Sequence, residues 1–454
     1  MREGSLDAPK REPIAWRDDD FYDAGKLDAE MRRVFDVCHG CRRCFNLCES
    51  FPRLFNLIDE GRTGELDGVK SDDFSSVVEA CTLCDMCFMT KCPYVPPHPF
   101  NLDFPHLMLR YRAAEARKGK TDFTARQLAE MDRNGRLAAP VAPIVNWASD
   151  RNNKVARRIM ENVARIDADA TLPRFSTRTF VLADRADPIA PNQSAPAYPA
   201  RRKAAFFATC FVNYNKPATG LAARAVLNHI GVETKVSYPG CCGMPFLEQA
   251  ELERVAQQAA KISRALRPLI EDGYDIVTLT ASCGLMLKFE WPLIVPDNPD
   301  VTLLSESTYD IDEYVVEIAK EHGLPPGLAP LSGGVSVHLA CHARAQNMGP
   351  KAAELLRLLP DTKVDVIERC SGHGGTFGVL KGTHEIAEKV GKPVMRATLA
   401  QGHGHVASDC PLAAVHIVQG ARNLAERDGA SLPVRAPEHP IEIFARAYGL
   451  LEDF

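Results

Sequence analysis

Cysteine placement constrains this chain more than any other feature. Fifteen cysteines are spread unevenly over 454 residues: eight lie between Cys38 and Cys92, none lies between Cys92 and Cys210, and seven run from Cys210 to Cys410. An odd count cannot pair fully within one chain, and disulfide frameworks belong to short secreted domains. The first residues, MREGSLDAPKREPIAWRDDD, lack the apolar core of a signal peptide, and no stretch reaches the ~18 apolar residues of a membrane span, so a cytoplasmic setting is expected. Clustered thiols in a reducing compartment point to metal or redox chemistry. With 45% apolar residues, 25% charged residues and a net charge of -5, the composition excludes a disordered or collagen-like chain and a basic nucleic-acid binder. At ~150 residues per domain, the length suggests about three domains.

The N-terminal cysteines form two runs. Cys38, Cys41, Cys44 and Cys48 are spaced C-x2-C-x2-C-x3-C, and Cys81, Cys84, Cys87 and Cys92 are spaced C-x2-C-x2-C-x4-C with Pro93 following. Three thiolates three residues apart converge on one cubane, and the fourth ligand comes from another segment. Exchange of the last cysteine, as in two-cluster ferredoxins, assigns one [4Fe-4S] to Cys38, Cys41, Cys44 and Cys92 and the other to Cys81, Cys84, Cys87 and Cys48. Zinc is the alternative, but its sites favour paired C-x2-C knuckles over triplets. Two details depart from the common run: Glu49 follows Cys48 where proline is usual, and the gap from Cys87 to Cys92 is one residue longer. FPRLFNLIDEG and DDFSSVVEACTLC between the runs read as helices, so the segment resembles the α-helical ferredoxin domain of succinate dehydrogenase iron–sulfur subunits and heterodisulfide reductase subunits. Arg42, Arg43 and Lys91 beside the runs read either as a solvated face or as groups that tune potential and docking.

The cysteine-free stretch opens with helical patterns, FPHLMLRYRAAEARKGK and TDFTARQLAEMDRNG. KVARRIMENVARI places Val155, Ile159, Met160, Val163 and Ile166 on one helical face, read first as core-facing and alternatively as lying on a bilayer. From Leu172 to Lys203, five prolines and little periodicity read as an extended linker. Beyond it, AAFFAT, TKVSY, YDIVTLT, VSVHLA, KVDVIE and HVAS read as strands between longer helical segments, which argues for α/β layers. This half is duplicated. Cys210 and Cys341, Cys241 and Cys370, and Cys283 and Cys410 are separated by 131, 129 and 127 residues, and the residues around them align.

TCFVNYNKPATG, PGCCGMP and TASCGLMLK resemble the cysteine-rich CCG domain of the heterodisulfide reductase and glycolate oxidase iron–sulfur family, from about Val37 to the C-terminus and least across 101–200. The resemblance implies a non-cubane iron–sulfur centre or zinc at the CCG motif. In the first repeat Cys210, Cys241, Cys242 and Cys283 supply four thiolates, and Met286 stands where a closing cysteine is usual. Buried, unligated thiols are the blander reading. The second repeat keeps Cys341, Cys370 and Cys410 but has Ser371 in the pair, so a complete site needs a nitrogen or oxygen donor: His342 and His373 are nearest, with His338, His403 and His405 farther off. Gly372, Gly374, Gly375 and Gly378 superficially resemble a phosphate loop but lack its G-x-G-x-x-G spacing and the acidic residue ~20 positions on.

The expected architecture is α+β and multidomain: an N-terminal extension (1–30), an α-helical ferredoxin with two [4Fe-4S] clusters (31–120), a helical segment and Pro-rich linker (121–200), a first α/β CCG domain (201–330), and a second, degenerate one with a C-terminal helix (331–454). No flavin or nicotinamide motif accompanies these ligands. The expected function is therefore an electron-transfer subunit that relays electrons between a flavin-dependent dehydrogenase and a quinone or other acceptor, with peripheral contact to the cytoplasmic membrane face open. The alternatives are a catalytic subunit that reduces a disulfide at a CCG-bound centre, and a redox or metal sensor.

Overall fold

Two small parallel sheets anchor the C-terminal half. The computed structural model describes residues 9–187, 202–434 and 436–451. In the first sheet β1 (Lys203–Phe207), β2 (Glu233–Ser237), β3 (Tyr274–Thr278) and β4 (Thr308–Asp310) are ordered β2-β1-β3-β4. In the second, β5 (Val335–His338), β6 (Val364–Ile367) and β7 (His405–Ser408) are ordered β6-β5-β7. Every pairing is parallel, so β6-β5-β7 repeats β2-β1-β3 and the duplication read from cysteine spacing is also one of topology. Central strands of a helix-covered parallel sheet are buried on both faces, and Phe206, Phe207, Val335 and Val337 are wholly so. Edge strands β2 and β6 carry Lys235 and Asp365 and are partly exposed.

All six strands expected from the sequence are present. β4 was not among them: its three residues, TYD, are too short to show an alternation, and the strand forms because Thr308 and Asp310 pair with Ile276 and Thr278. The expected linker is also corrected. Residues Phe180–Ala186 form a helix that docks on the first repeat through the fully buried Phe180, capped by Thr179 at the Leu182 N–H. Pro188, Pro191, Pro196 and Pro199 lie outside the described residues.

The described N-terminal residues are helical. Helix Ala24–Cys41 buries Leu27, Met31, Val34 and Phe35 at three- and four-residue spacing, and ends where Arg42 turns left-handed (φ 54°) and donates its N–H to the Cys38 carbonyl. Its apolar face meets helices Ser50–Asp59 and Phe104–Arg117 in a core that continues beneath the first repeat as far as Trp291 and Leu304. A second core joins the repeats. Ile441, Ile443 and Phe444 of helix Pro440–Ala447 pack with Ala204, Phe206, Val226 and Leu227 of the first repeat, and each fully buried aliphatic side chain contributes about 1.5–3 kcal/mol.

The helix over KVARRIMENVARI forms (Lys154–Ala164), but it is turned the other way from the core-facing expectation. Its buried residue is Arg157, whose guanidinium donates to the Asp167 and Ala170 carbonyls at 2.6 Å, while Val155, Ile159 and Val163 are exposed. The same guanidinium also donates to the Ala168 and Ser149 carbonyls, so it ties the helix to the 167–170 loop through charge-assisted hydrogen bonds.

Candidate functional site

Each repeat carries its cysteines where its strands end. β1, β2 and β3 finish in register at Phe207, Ser237 and Thr278, and Cys210, Cys241–Cys242 and Cys283 follow within a few residues. Open α/β sheets bind ligands at that carboxyl edge. Gly240 (φ 155°) and Gly243 (φ 87°) bracket the pair, and the Trp291 indole donates to the Cys242 carbonyl at 3.0 Å, fixing the turn. All four thiols are buried. Cys241 is the hub: its Sγ lies 3.8 Å from the Cys210 Sγ, accepts the Gly243 N–H at 3.5 Å and is hydrogen bonded to Cys242, which is bonded in turn to Cys283. Hydrogen bonding within the group holds the Cys241 thiol well below its usual pKa and, together with burial, pushes Cys210 and Cys242 up. Asp132, a residue the sequence reading did not single out, reaches in from helix Met131–Ala138 to accept the Cys241 N–H at 3.0 Å and the Tyr238 hydroxyl. Burial and the nearby Cys241 raise its pKa.

The second repeat repeats this placement with fewer thiols. Cys341, Cys370 and Cys410 follow β5, β6 and β7, and the Cys370 Sγ accepts the Gly372 N–H at 3.3 Å. Burial, then Cys84, Cys370 and Cys410, push the Cys341 thiol up; burial lifts Cys410 to about 11. The His342 ring meets the Leu83 backbone and leaves Nε2 unpartnered. His373 turns to His416. Of the more distant histidines, His338 bonds Ser408 and the Arg369 carbonyl, His403 bonds Asp365, and His405 bonds Glu438. The glycine run is packing rather than a phosphate loop: a Cβ on Gly372 (φ 78°) would lie 2.0 Å from the Ala387 carbonyl oxygen, and one on Gly375 would meet the Glu248 carboxylate.

The N-terminal thiols sort into two electrostatic groups. Apart from burial, Cys38 is raised most by Cys92, then Cys44 and Cys41; Cys48 is raised by Cys84 and then Cys81; and Cys87 by Cys84 and then Cys81. The longer gap before Cys92 is absorbed by a π-helical turn, Cys87–Lys91, in which the Cys92 N–H donates to the Cys87 carbonyl at 2.8 Å. The groups adjoin through Cys44 and Cys87, and the second adjoins the second repeat through Cys84 and Cys370. Arg42 and His39 bind Asp59 at the surface, so Arg42 is paired.

Comparison with known proteins bears on this architecture. Residues 204–288 and 335–417 both match the cysteine-rich domain named CCG. The chain is 30% identical over 188 residues to lactate utilization protein A of Bacillus pumilus, covering 39% of this chain and 75% of that one. It belongs to the CCG cysteine-rich domain family. It is also similar to one component of the anaerobic glycerol-3-phosphate dehydrogenase of Escherichia coli, with 28% identity over 70% of this chain and 76% of that one. One component of the CoM/CoB fumarate reductase of Methanothermobacter marburgensis is 30% identical over 47% of this chain and 41% of that one.

The donor chemistry of the CCG chain fits sulfur-rich centres. Buried thiols raised above neutrality stay protonated until a metal displaces the proton, and thiolate ligation removes that cost. Each N-terminal group offers four thiols, the first CCG repeat offers four, and the second offers three. Among the described residues no three His, Cys, Asp or Glu donors converge on one ion. Thiols that each hold a different iron of one cluster need no such convergence. Sequence reasoning also passed over Arg11. Its side chain is 10% exposed and pairs with Asp85, between Cys84 and Cys87, at 2.6 Å, with Asp103 at 2.9 Å and with Glu290 of the first CCG repeat at 3.0 Å.

Proposed function

We propose that this protein is the iron–sulfur electron-transfer subunit of an oxidoreductase complex, relaying electrons between a flavin-dependent dehydrogenase and a quinone or other acceptor. Cys38, Cys41, Cys44 and Cys92 hold one [4Fe-4S] cluster within an α-helical ferredoxin domain, and Cys81, Cys84, Cys87 and Cys48 hold the other. Cys210, Cys241, Cys242 and Cys283 hold a further iron–sulfur centre or zinc, and Cys341, Cys370 and Cys410 form a reduced version of that site. Bound clusters supply one-electron steps.

The observation that carries this reading is the way the thiol groups neighbour one another along the molecule. Cys44 adjoins Cys87, Cys84 adjoins Cys370 and Cys341, and the helix that begins at Cys341 packs on the helix holding Cys283, where Gln346 donates to the Ala281 carbonyl at 3.0 Å. The protein's own residues bury or half-bury the thiols, aim backbone N–H groups at Cys241 and Cys370, and exclude water with Trp291 and Phe88. At the far end, a cleft of about 740 Å³ beside the C-terminal end of helix Cys210–Tyr214 is lined by Arg136, Pro140, Leu182, Arg185, Tyr214 and Tyr238, a mixture of apolar and cationic groups suited to an acceptor with a polar head. Next to it Val141, Ile144, Trp147, Val155, Ile159 and Val163 are exposed and flanked by Lys154, Arg158 and Arg165. That surface suits peripheral contact with the anionic cytoplasmic membrane face. No described helix is long and apolar enough to cross a membrane.

The test is anaerobic iron analysis joined to a transfer assay. Purified protein should carry at least eight irons per chain, and Cys41→Ser should lose about four, the content of one cubane. Isolated protein should accept electrons from an artificial reductant, turn over none of glycerol-3-phosphate, lactate or glycolate unaided, and be reduced in a substrate-dependent way once its flavoprotein is added. Cys84→Ser should interrupt transfer while the flavoprotein's own half-reaction continues. Zinc in place of iron, or unaided substrate turnover, overturns the reading.

A further inference from the structure

The second repeat holds a group of side chains that its cysteines do not use. His373 lies three residues after Cys370 in the glycine-rich turn, His384 opens helix His384–Gln401, and His416 sits on helix Pro411–Arg427, packed against it. The His416 ring centroid is 6.0 Å from that of His373 and 5.9 Å from that of His384. All three are more than nine-tenths buried, and the Nε2 of each has no hydrogen-bond partner. A buried polar atom left without a partner forfeits its hydration, so three in one place constitute a marked local deficit.

Their second nitrogens indicate what would relieve it. His384 Nδ1 lies 2.7 Å from the Gly378 carbonyl oxygen, and the His416 ring is hydrogen bonded to the Ala387 backbone. A ring nitrogen facing a carbonyl must carry the proton, which leaves the lone pair on Nε2; metal-binding histidines are held in the same way. Glu388, one helical turn after His384, places Oε1 4.0 Å from His384 Nε2, and the same oxygen accepts from Asn423 Nδ2 at 3.3 Å. The glycines fit this arrangement: a Cβ on Gly378 would lie 2.8 Å from His373 Nδ1.

We propose that His373, His384 and His416, with Glu388 as the carboxylate, form a site for one divalent transition-metal ion of the zinc type, separate from the cysteine centres. Three imidazoles and one carboxylate are a donor set that zinc takes in four-coordinate form. The donors do not yet converge on one point, so loading draws the rings inward from their present ~6 Å separations. Both helices bear donors, and the ion therefore clamps helix His384–Gln401 to helix Pro411–Arg427.

The probe is zinc alone, added in one equivalent to full-length, anaerobically purified protein and counted with iron after gel filtration. The expected result is about one tightly held zinc per chain, with a nitrogen and oxygen shell and no sulfur in zinc-edge absorption. His416→Gln should abolish stoichiometric retention at unchanged iron content, whereas Cys341→Ser should keep it. Asn423→Ala, which touches no ligand nitrogen and leaves the cluster segments alone, should weaken zinc by roughly 10–100-fold, the usual effect of losing an outer partner. A sulfur-containing shell, full zinc retention by His416→Gln, or no stoichiometric uptake by the wild type overturns the site.

Discussion

Replacing Arg11 with methionine tests whether the N-terminal segment is a charge-locked strap. Arg11 lies against Asp85, Asp103 and Glu290, and three residues on, the Ile14 N–H donates to the Leu293 carbonyl at 2.8 Å while the Trp16 indole donates to the Ile294 carbonyl at 2.8 Å. Removing one member of a buried ion pair costs about 3–5 kcal/mol, here because Asp85 is left buried without its cation. At 1.4 kcal/mol per tenfold, local opening of the strap becomes about 100- to 4,000-fold more frequent. Native-state hydrogen exchange at Ile14 reads this directly. Protection within threefold of wild type in Arg11→Met would refute the argument.

The same network sets a pH window. Burial and Arg11 lower the His106 pKa, but Asp103 and Glu290, 3.2 Å from its two nitrogens, outweigh them and raise it to about 9. A raised pKa contributes stability that is complete below the unfolded value of ~6.5 and fades as pH climbs through 9. Burial raises the two carboxyls, but His106 and Arg11 hold both below the usual range, so their contribution is present above ~4.5 and lost in acid. Global stability, read from denaturation midpoints, should therefore gain most from this network between about pH 4.5 and 6.5 and lose part of that gain by pH 9.

Two further outcomes are expected. Cys242→Ser should abolish a centre spectroscopically distinct from the cubanes, while Ser371→Cys should create or strengthen one in the second repeat; identical metal content and spectra for wild type and Cys242→Ser would remove the first-repeat site. Ile159→Glu, on a side chain that is 58% exposed, should leave stability within about 0.5 kcal/mol and reduce sedimentation with anionic vesicles severalfold, whereas unchanged sedimentation would discount the membrane surface.

The repeat and its sheets were legible because thiol spacing and strand–helix alternation are local signals preserved in both copies. Helix Lys154–Ala164 was legible as a helix but not in its orientation, since Arg157 faces inward only because the loop 167–170 presents carbonyls to it. Arg11 lies 74 residues from Asp85 and 279 from Glu290, separations at which no periodicity carries information. The histidine group left one faint trace: His384 and Glu388 are four apart on a helical pattern, a spacing that puts two donors on one face. His416 joins them only because two helices that flank the same strand pack together.

The crossing of helix Pro440–Ala447 onto the first repeat also has a consequence in time. The helix it packs on, Pro217–His229, leaves the ribosome more than two hundred residues earlier. At synthesis rates of about 5–20 residues per second, the apolar surface formed by Phe206, Val226 and Leu227 waits on the order of 10–50 s for Ile441 and Phe444 to arrive. Throughout that interval the nascent first repeat is a sticky, half-covered layer, so its dependence on chaperones should peak before translation reaches residue 440.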